Sequence, residues 1–145
     1  YVKKETIEKF GGQKIENLNE GLKNCDYLSL HVPLSEKTKN LIDYSKLTSM
    51  KKEAILINTA RGGIVNEKDL NKALNQNIIF GAGLDVFEKE PVDKNNSLLG
   101  NKKILFSPHS ATFTNECKSR MAIEATKNII DFFDNKIDKS MIVKL

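Results

Sequence analysis

Three residues of this sequence have side chains and neighbours suited to chemistry: Arg61, Glu90 and His109. Arg61 is one of 2 arginines in a chain with 21 lysines, and Gly62-Gly63 follow it. A guanidinium is a planar, permanently charged fork that matches a carboxylate. The glycines let backbone approach a ligand with no Cβ in the way. His109, one of 2 histidines, follows Pro108 and can exchange a proton near neutral pH. Glu90, before Pro91, can hydrogen-bond His109 and favour its imidazolium form. Asp85 closes an apolar run and can meet an amide or a sugar hydroxyl. Each residue also has a plain structural alternative. Arg61 suits a surface salt bridge before a Gly-Gly turn, His109 a loop cap, Glu90 a turn acid and Asp85 a strand end. His31, before Pro33, reads as a residue packed at the edge of the core.

These residues need elements to bring them together. Four short runs are apolar on both faces, as parallel strands covered on both sides must be: Tyr27 to Val32, Ala54 to Asn58, Gly81 to Val86 and Lys103 to Ser107. A weaker fifth strand is expected at Gln13-Lys-Ile-Glu. Helical segments lie between them, each opening on a cap: Asn17 with Glu20, Asp43 before Tyr44, and Asn66 with Asp69. A longer helix is predicted from Thr114 to Phe133, because Met121, Ala125, Ile129 and Phe132 or Phe133 recur at spacings of three and four. The polar stretch Asp134 to Ser140 reads as a loop, and Met141-Ile-Val as a short apolar end. Strand and helix in alternation predict an α/β fold, a doubly wound and mostly parallel sheet with right-handed crossovers.

In such a sheet, ligands bind beyond the carboxyl ends of the strands, where the loops converge. After the first strand come His31-Val-Pro-Leu, and after the second Thr59-Ala-Arg61-Gly-Gly. The third ends at Asp85 and leads to Glu90, and the fourth leads to Ser107-Pro-His109. The polar residues thus fall at one edge. Gly81-Ala-Gly83 is not a phosphate loop, since it lies inside an apolar strand and lacks both a third glycine and a following helix.

Composition narrows the functional classes. The 145 residues, 39% hydrophobic, suffice for one domain with a core but not for a two-domain enzyme. The polar opening from Tyr1 has no pattern of a natural beginning, so a piece of a longer chain is expected. The net charge of +4 is interleaved with 19 acidic residues and forms no basic stripe, which argues against a nucleic-acid partner. No run approaches the roughly 20 apolar residues of a membrane span. Cys25 and Cys117 have neither metal-ligand spacing nor a disulfide pattern, so no metal is expected and a reducing cytoplasm fits best.

Taken in order, several motifs resemble those of the D-isomer-specific 2-hydroxyacid dehydrogenases, a family that includes phosphoglycerate dehydrogenases and glyoxylate/hydroxypyruvate reductases. They are Leu30-His-Val-Pro-Leu-Ser-Glu-Lys-Thr-Lys-Asn-Leu-Ile, Leu56-Ile-Asn-Thr-Ala-Arg-Gly-Gly-Ile-Val, Gly81-Ala-Gly-Leu-Asp-Val-Phe-Glu-Lys-Glu-Pro and Ser107-Pro-His-Ser-Ala-Thr. The resemblance implies an oxidoreductase that passes a hydride between a nicotinamide cofactor, NAD or NADP, and a small 2-oxo or 2-hydroxy acid. It assigns Arg61 to anchor the substrate, His109 to act as acid and base, and Glu90 to keep His109 protonated. Val32, Thr59, Ala60, Arg61, Asp85, His109, Ser110, Ala111 and Thr112 would meet the cofactor. Residues 1–113 would be the C-terminal part of an incomplete NAD-binding domain, and 114–145 a long helix and tail crossing toward a substrate domain. The family's glycine-rich phosphate turn would lie upstream of Tyr1, and many relatives carry glycine where Ser110 follows the histidine. A homodimer is also implied. The alternative is a non-catalytic dinucleotide-sensing or corepressor-like interaction module, or an inactive fragment.

Overall fold

The computed structural model describes residues 2–142, in two units: one running to His109 and one from Ser110 onward. The first unit is built on a four-stranded, all-parallel sheet in the order β1-β2-β3-β4, formed by Tyr27–Leu30, Ile55–Asn58, Gly81–Leu84 and Ile104–Phe106. All four predicted strands are present, each shorter than its apolar run. The residues trimmed from their carboxyl ends, including His31, Asp85 and Ser107, form the loops above the sheet.

Register and the two-residue pleat set the sheet's faces. Leu28, Leu56, Ala82 and Ile104 align across one face, with Leu30, Asn58 and Leu84 one pleat above. On this face lies the core, where Leu22 of α2 (Leu18–Asn24), Leu47 of α3 (Tyr44–Thr48), and Leu70, Ala73 and Leu74 of α4 (Glu67–Asn75) pack with Leu56 and Ile104. Burying each such leucine contributes about 1.5–3 kcal/mol. The opposite face carries Ile55 and Ile57, half-buried, and Tyr27 and Leu105, exposed. Within this unit the strands are therefore covered on one side, although their sequence is apolar on both.

The predicted caps are made. Asn17 accepts from the Asn19 N–H at 2.9 Å, Asp43 from the Lys46 N–H at 2.9 Å, and Asn66 from the Asp69 N–H at 3.0 Å. Each satisfies one of the donors a helix start leaves open, a contribution of about 1 kcal/mol. The expected fifth strand at Gln13–Glu16 does not form; those residues are exposed coil with no β partner. Lys and Gln there alternate with few apolar side chains, so pairing would bury little. Upstream, Lys4–Lys9 form a short helix α1 with no buried residue and no side-chain cap.

In the second unit, Thr114 caps α5 (Asn115–Phe133), accepting from the Cys117 N–H at 3.1 Å, so the predicted long helix is found at its predicted start. None of its residues is buried, and its stripe of Met121, Ile129, Phe132 and Phe133 is exposed. A single 3-10 turn, Lys139–Met141, interrupts the expected terminal loop, with Asp138 accepting from the Ser140 N–H. Val143, at the end of the apolar tail, lies outside the described residues. Among the described residues no helix is long and apolar enough to cross a membrane.

Candidate active site

The four strands are parallel, so the loops after them emerge at one edge. The loop after β1 and the loop after β2 face each other across an open cleft of about 580 Å³ lined by His31, Val32, Pro33, Thr59, Ala60 and Arg61. Four of the nine residues that the resemblance assigns to the cofactor, Val32, Thr59, Ala60 and Arg61, thus line one cleft. His31 departs from expectation: it is exposed and lines the cleft, with its Nε2 2.7 Å from the Ser29 hydroxyl. His31 follows the buried Leu30 and shares the parity of the exposed Tyr27 and Ser29, so the pleat sends its side chain away from the core, toward Ser29.

Asn58 shapes the loop that bears Arg61. It is buried at the last position of β2, its side-chain amide donates to the Arg61 carbonyl at 2.9 Å, and its side-chain oxygen accepts from the Ala60 N–H at 3.1 Å. This is an asparagine turn that folds the chain back on itself. By residue order Asn58 reads only as a strand end; an amide side chain closing a buried strand before a turn is the signal that marks its role. The Arg61 guanidinium is exposed, donates to the Ala60 carbonyl at 2.6 Å, and has no ion pair among the described residues.

Asp85 is buried at the end of β3, with its N–H on the Asn58 carbonyl at 3.0 Å and its Oδ1 accepting from the Ser107 hydroxyl at 2.5 Å. Ser107 comes from the next loop, so the pair joins the ends of β3 and β4. The Asp85 carbonyl in turn accepts from the His109 N–H at 2.8 Å. His109 needs this anchor because its φ of 51° lies in the left-handed region, at a cost of about 1 kcal/mol for a side-chain-bearing residue.

The structure brings Glu90 and His109 together. His109 Nδ1 donates to Glu90 Oε2 at 2.7 Å, while Glu90 Oε1 accepts from the Phe87 N–H at 3.0 Å. The hydrogen bond from His109, then that from Phe87, hold the Glu90 carboxyl below its ordinary value. With Nδ1 committed, Nε2 is the ring nitrogen left to exchange a proton. Gly62 ties the Arg61 loop to this pair, since a Cβ on it would stand 1.7 Å from the Phe87 carbonyl oxygen. Only a glycine allows that approach. Ser110, Ala111 and Thr112 belong to the second unit, where the Phe113 N–H donates to the Ser110 carbonyl at 2.9 Å.

Comparison with known proteins gives one family match, to the model of the D-isomer specific 2-hydroxyacid dehydrogenase, NAD binding domain, over residues 1–111. The chain is 41% identical over 140 residues to a glyoxylate reductase of Aeropyrum pernix, covering 97% of this chain and 42% of that protein. It is also similar to two solved structures. One is an acyclic imino acid reductase in complex with NADPH and D-Arg, at a TM-score of 0.80 and 33% identity over 88% of this chain and 40% of the other. The second is an NAD-complexed D-isomer specific 2-hydroxyacid dehydrogenase of Lactobacillus delbrueckii ssp. bulgaricus, at 0.74 and 30% identity over 86% and 42%. The chain therefore spans about two-fifths of the length of the relatives it matches.

Proposed function

The chain belongs to the D-isomer specific 2-hydroxyacid dehydrogenase family, and from that premise we propose that it carries the acid–base half of an enzyme that passes a hydride between NAD or NADP and a D-2-hydroxy acid or its 2-oxo acid. The observation that carries this reading is the 2.7 Å contact between His109 Nδ1 and Glu90 Oε2, made between loops that follow two different strands.

The residues at the cleft fit a nicotinamide ring. Val32 and Ala60 offer half-buried apolar surface and the exposed Thr59 a hydroxyl; Asp85, buried at the end of β3 and outside the cleft lining, adds a carboxylate that accepts hydrogen bonds. The cofactor would supply the hydride in reduction and accept it in oxidation. Arg61 lays its fork on the carboxylate of the 2-oxo acid and draws charge toward the neighbouring carbonyl oxygen. His109 gives its Nε2 proton to that oxygen as it becomes a hydroxyl, and Glu90, accepting at Nδ1, stabilises the imidazolium that must be present beforehand. In oxidation His109 removes the hydroxyl proton through the same atom. Ser110, Ala111 and Thr112 complete the cofactor contacts.

On this reading residues 1–113 are the C-terminal part of the NAD-binding domain and 114–145 lead toward a substrate domain. The substrate is a small 2-oxo acid such as glyoxylate, the substrate that the name of the Aeropyrum pernix relative indicates. The enzyme works as a homodimer, and the two free cysteines, Cys25 and Cys117, suit the reducing cytoplasm.

The test is His109→Gln in the full-length gene product, assayed for NADH oxidation with glyoxylate and hydroxypyruvate. Turnover falls by about 10²–10⁴-fold while NADH affinity is retained. Wild-type turnover in that variant, or no turnover of any small 2-oxo acid by the wild type, would sink the assignment.

A further inference from the structure

Away from the cleft, α4 begins beside the loop that holds Glu90. The Glu67 N–H donates to Glu88 Oε1 at 3.1 Å, and the Glu88 N–H donates back to Glu67 Oε1 at 2.6 Å. The other oxygen of Glu67 accepts from the Asn96 side-chain amide at 2.7 Å. Two carboxylates side by side repel one another, so the arrangement needs what it has: a donor on each engaged oxygen, at a helix start whose dipole favours negative charge.

The clasp bears on one peptide plane. The N–H of Glu88 and the carbonyl of Phe87 belong to the same rigid unit. Its N–H end is held by Glu67, and its carbonyl end rests against Gly62 of the Arg61 loop. The next N–H back along the chain, that of Phe87, is the one Glu90 Oε1 accepts. The Phe87 ring is stacked on Phe106, with centroids 5.8 Å apart. The Phe87 N–H belongs to the preceding peptide plane, which meets the Phe87–Glu88 plane at the Phe87 Cα, so a displacement of the clasped peptide reaches the donor that aims the Glu90 carboxylate at His109 through that shared atom.

We propose that Glu67 is a positioning residue for the Glu90–His109 pair, holding the Phe87–Glu88 peptide between α4 and Gly62 so that Glu90 presents one oxygen to Phe87 and the other to His109. The role rests on the proposed function, in which that pair moves the proton.

The experiment follows the titration of the Glu90 carboxyl by carbon NMR in this chain and its variants. His109→Gln sets the scale, because it removes the principal hydrogen bond that keeps Glu90 low. In Glu67→Ala the Glu90 midpoint rises by at least half of the His109→Gln displacement. Charge alone works in the opposite direction: deleting a nearby negative charge lowers a carboxyl pKa. Glu67→Gln, which loses the charge but keeps an oxygen for the Glu88 N–H, leaves Glu90 at or below its wild-type midpoint. A Glu67→Ala midpoint at or below the wild-type value would overturn the role and leave Glu67 as a helix cap only. Should Glu67→Ala not fold, Glu67→Asp, shorter by one methylene, is read the same way: a rise supports the role and an unchanged midpoint overturns it. If His109→Gln itself fails to move Glu90, the acid–base pair and the proposed function fail. If His109→Gln moves Glu90 and Glu67→Ala does not, only the positioning role fails.

Discussion

A Cβ on Gly62 would stand 1.7 Å from the Phe87 carbonyl oxygen and 2.1 Å from its carbon. Backbone meets backbone there, between the loop that bears Arg61 and the loop that bears Glu90. The contact joins residues 25 positions apart in the sequence, and it connects the proposed substrate anchor to the acid–base pair through a single residue, Phe87.

Gly62→Ala is expected to be among the most damaging small substitutions in the chain. No side-chain rotation relieves a clash with backbone, so the two loops must separate, at a cost of about 3 kcal/mol or more. Urea denaturation measures the loss, and the Glu90 carboxyl resonance should shift with it. A stability within about 0.5 kcal/mol of wild type, the range usual for surface changes, would contradict the geometry.

Asn58→Ala removes a donor and an acceptor from a buried turn. The Ala60 N–H and the Arg61 carbonyl lose their partners, a loss of about 1–3 kcal/mol. A thermal melt at neutral pH reads it. Asn58→Asp should be only a partial rescue, since it restores the acceptor for Ala60 but gives the Arg61 carbonyl no donor.

Glu90 makes stability depend on acid in a defined direction. Its folded-state pKa lies below the ordinary 4.5, so it contributes stability that is fully present above that pH and is lost as the pH falls through the lower folded value. The principal cause is the hydrogen bond from His109, with the Phe87 N–H second. Comparing urea midpoints of the wild type and Glu90→Gln should show a gap at neutral pH that narrows below 4.5. A gap that widens on acidification would reverse the assignment.

Arg61→Lys keeps the charge and loses the fork. If Arg61 clamps the substrate carboxylate with two parallel N–H groups, the variant of the full-length product should lose about 10-fold or more in kcat/KM for glyoxylate, near the worth of one charge-assisted hydrogen bond. NADH affinity should change little. Steady-state kinetics at several glyoxylate concentrations separate the two, and an unchanged kcat/KM would remove Arg61 from its role.

Much of this protein is local in origin, and so legible from residue order. Asn17, Asp43, Asn66 and Thr114 cap the helices they precede because a cap bonds two or three residues ahead. The four apolar runs become strands because short stretches dominated by apolar residues are buried by pairing in the sheet and packing under the helices. Their parallel order sends Arg61, Asp85, Glu90 and His109 to one edge, and that follows once strands and helices alternate. The same logic failed at Gln13–Glu16, where four residues resembled a strand but had no neighbour to pair with, and at His31, where one residue of strand length separates a core position from an exposed one.

What only the tertiary structure decided are the contacts between loops. Glu67 and Glu88 stand 21 positions apart and exchange hydrogen bonds, Ser107 reaches Asp85 across 22, and Gly62 meets Phe87 across 25. No periodicity announces such pairs, because each depends on where two crossovers end in space and not on what stands beside either residue. Sequence alone determined that Arg61, Glu90 and His109 occur in chemically able settings at strand ends. The 2.7 Å contact between Glu90 and His109, and the peptide plane held behind it, exist only because a parallel sheet sets successive strand ends about 5 Å apart, close enough for one loop to bond the next.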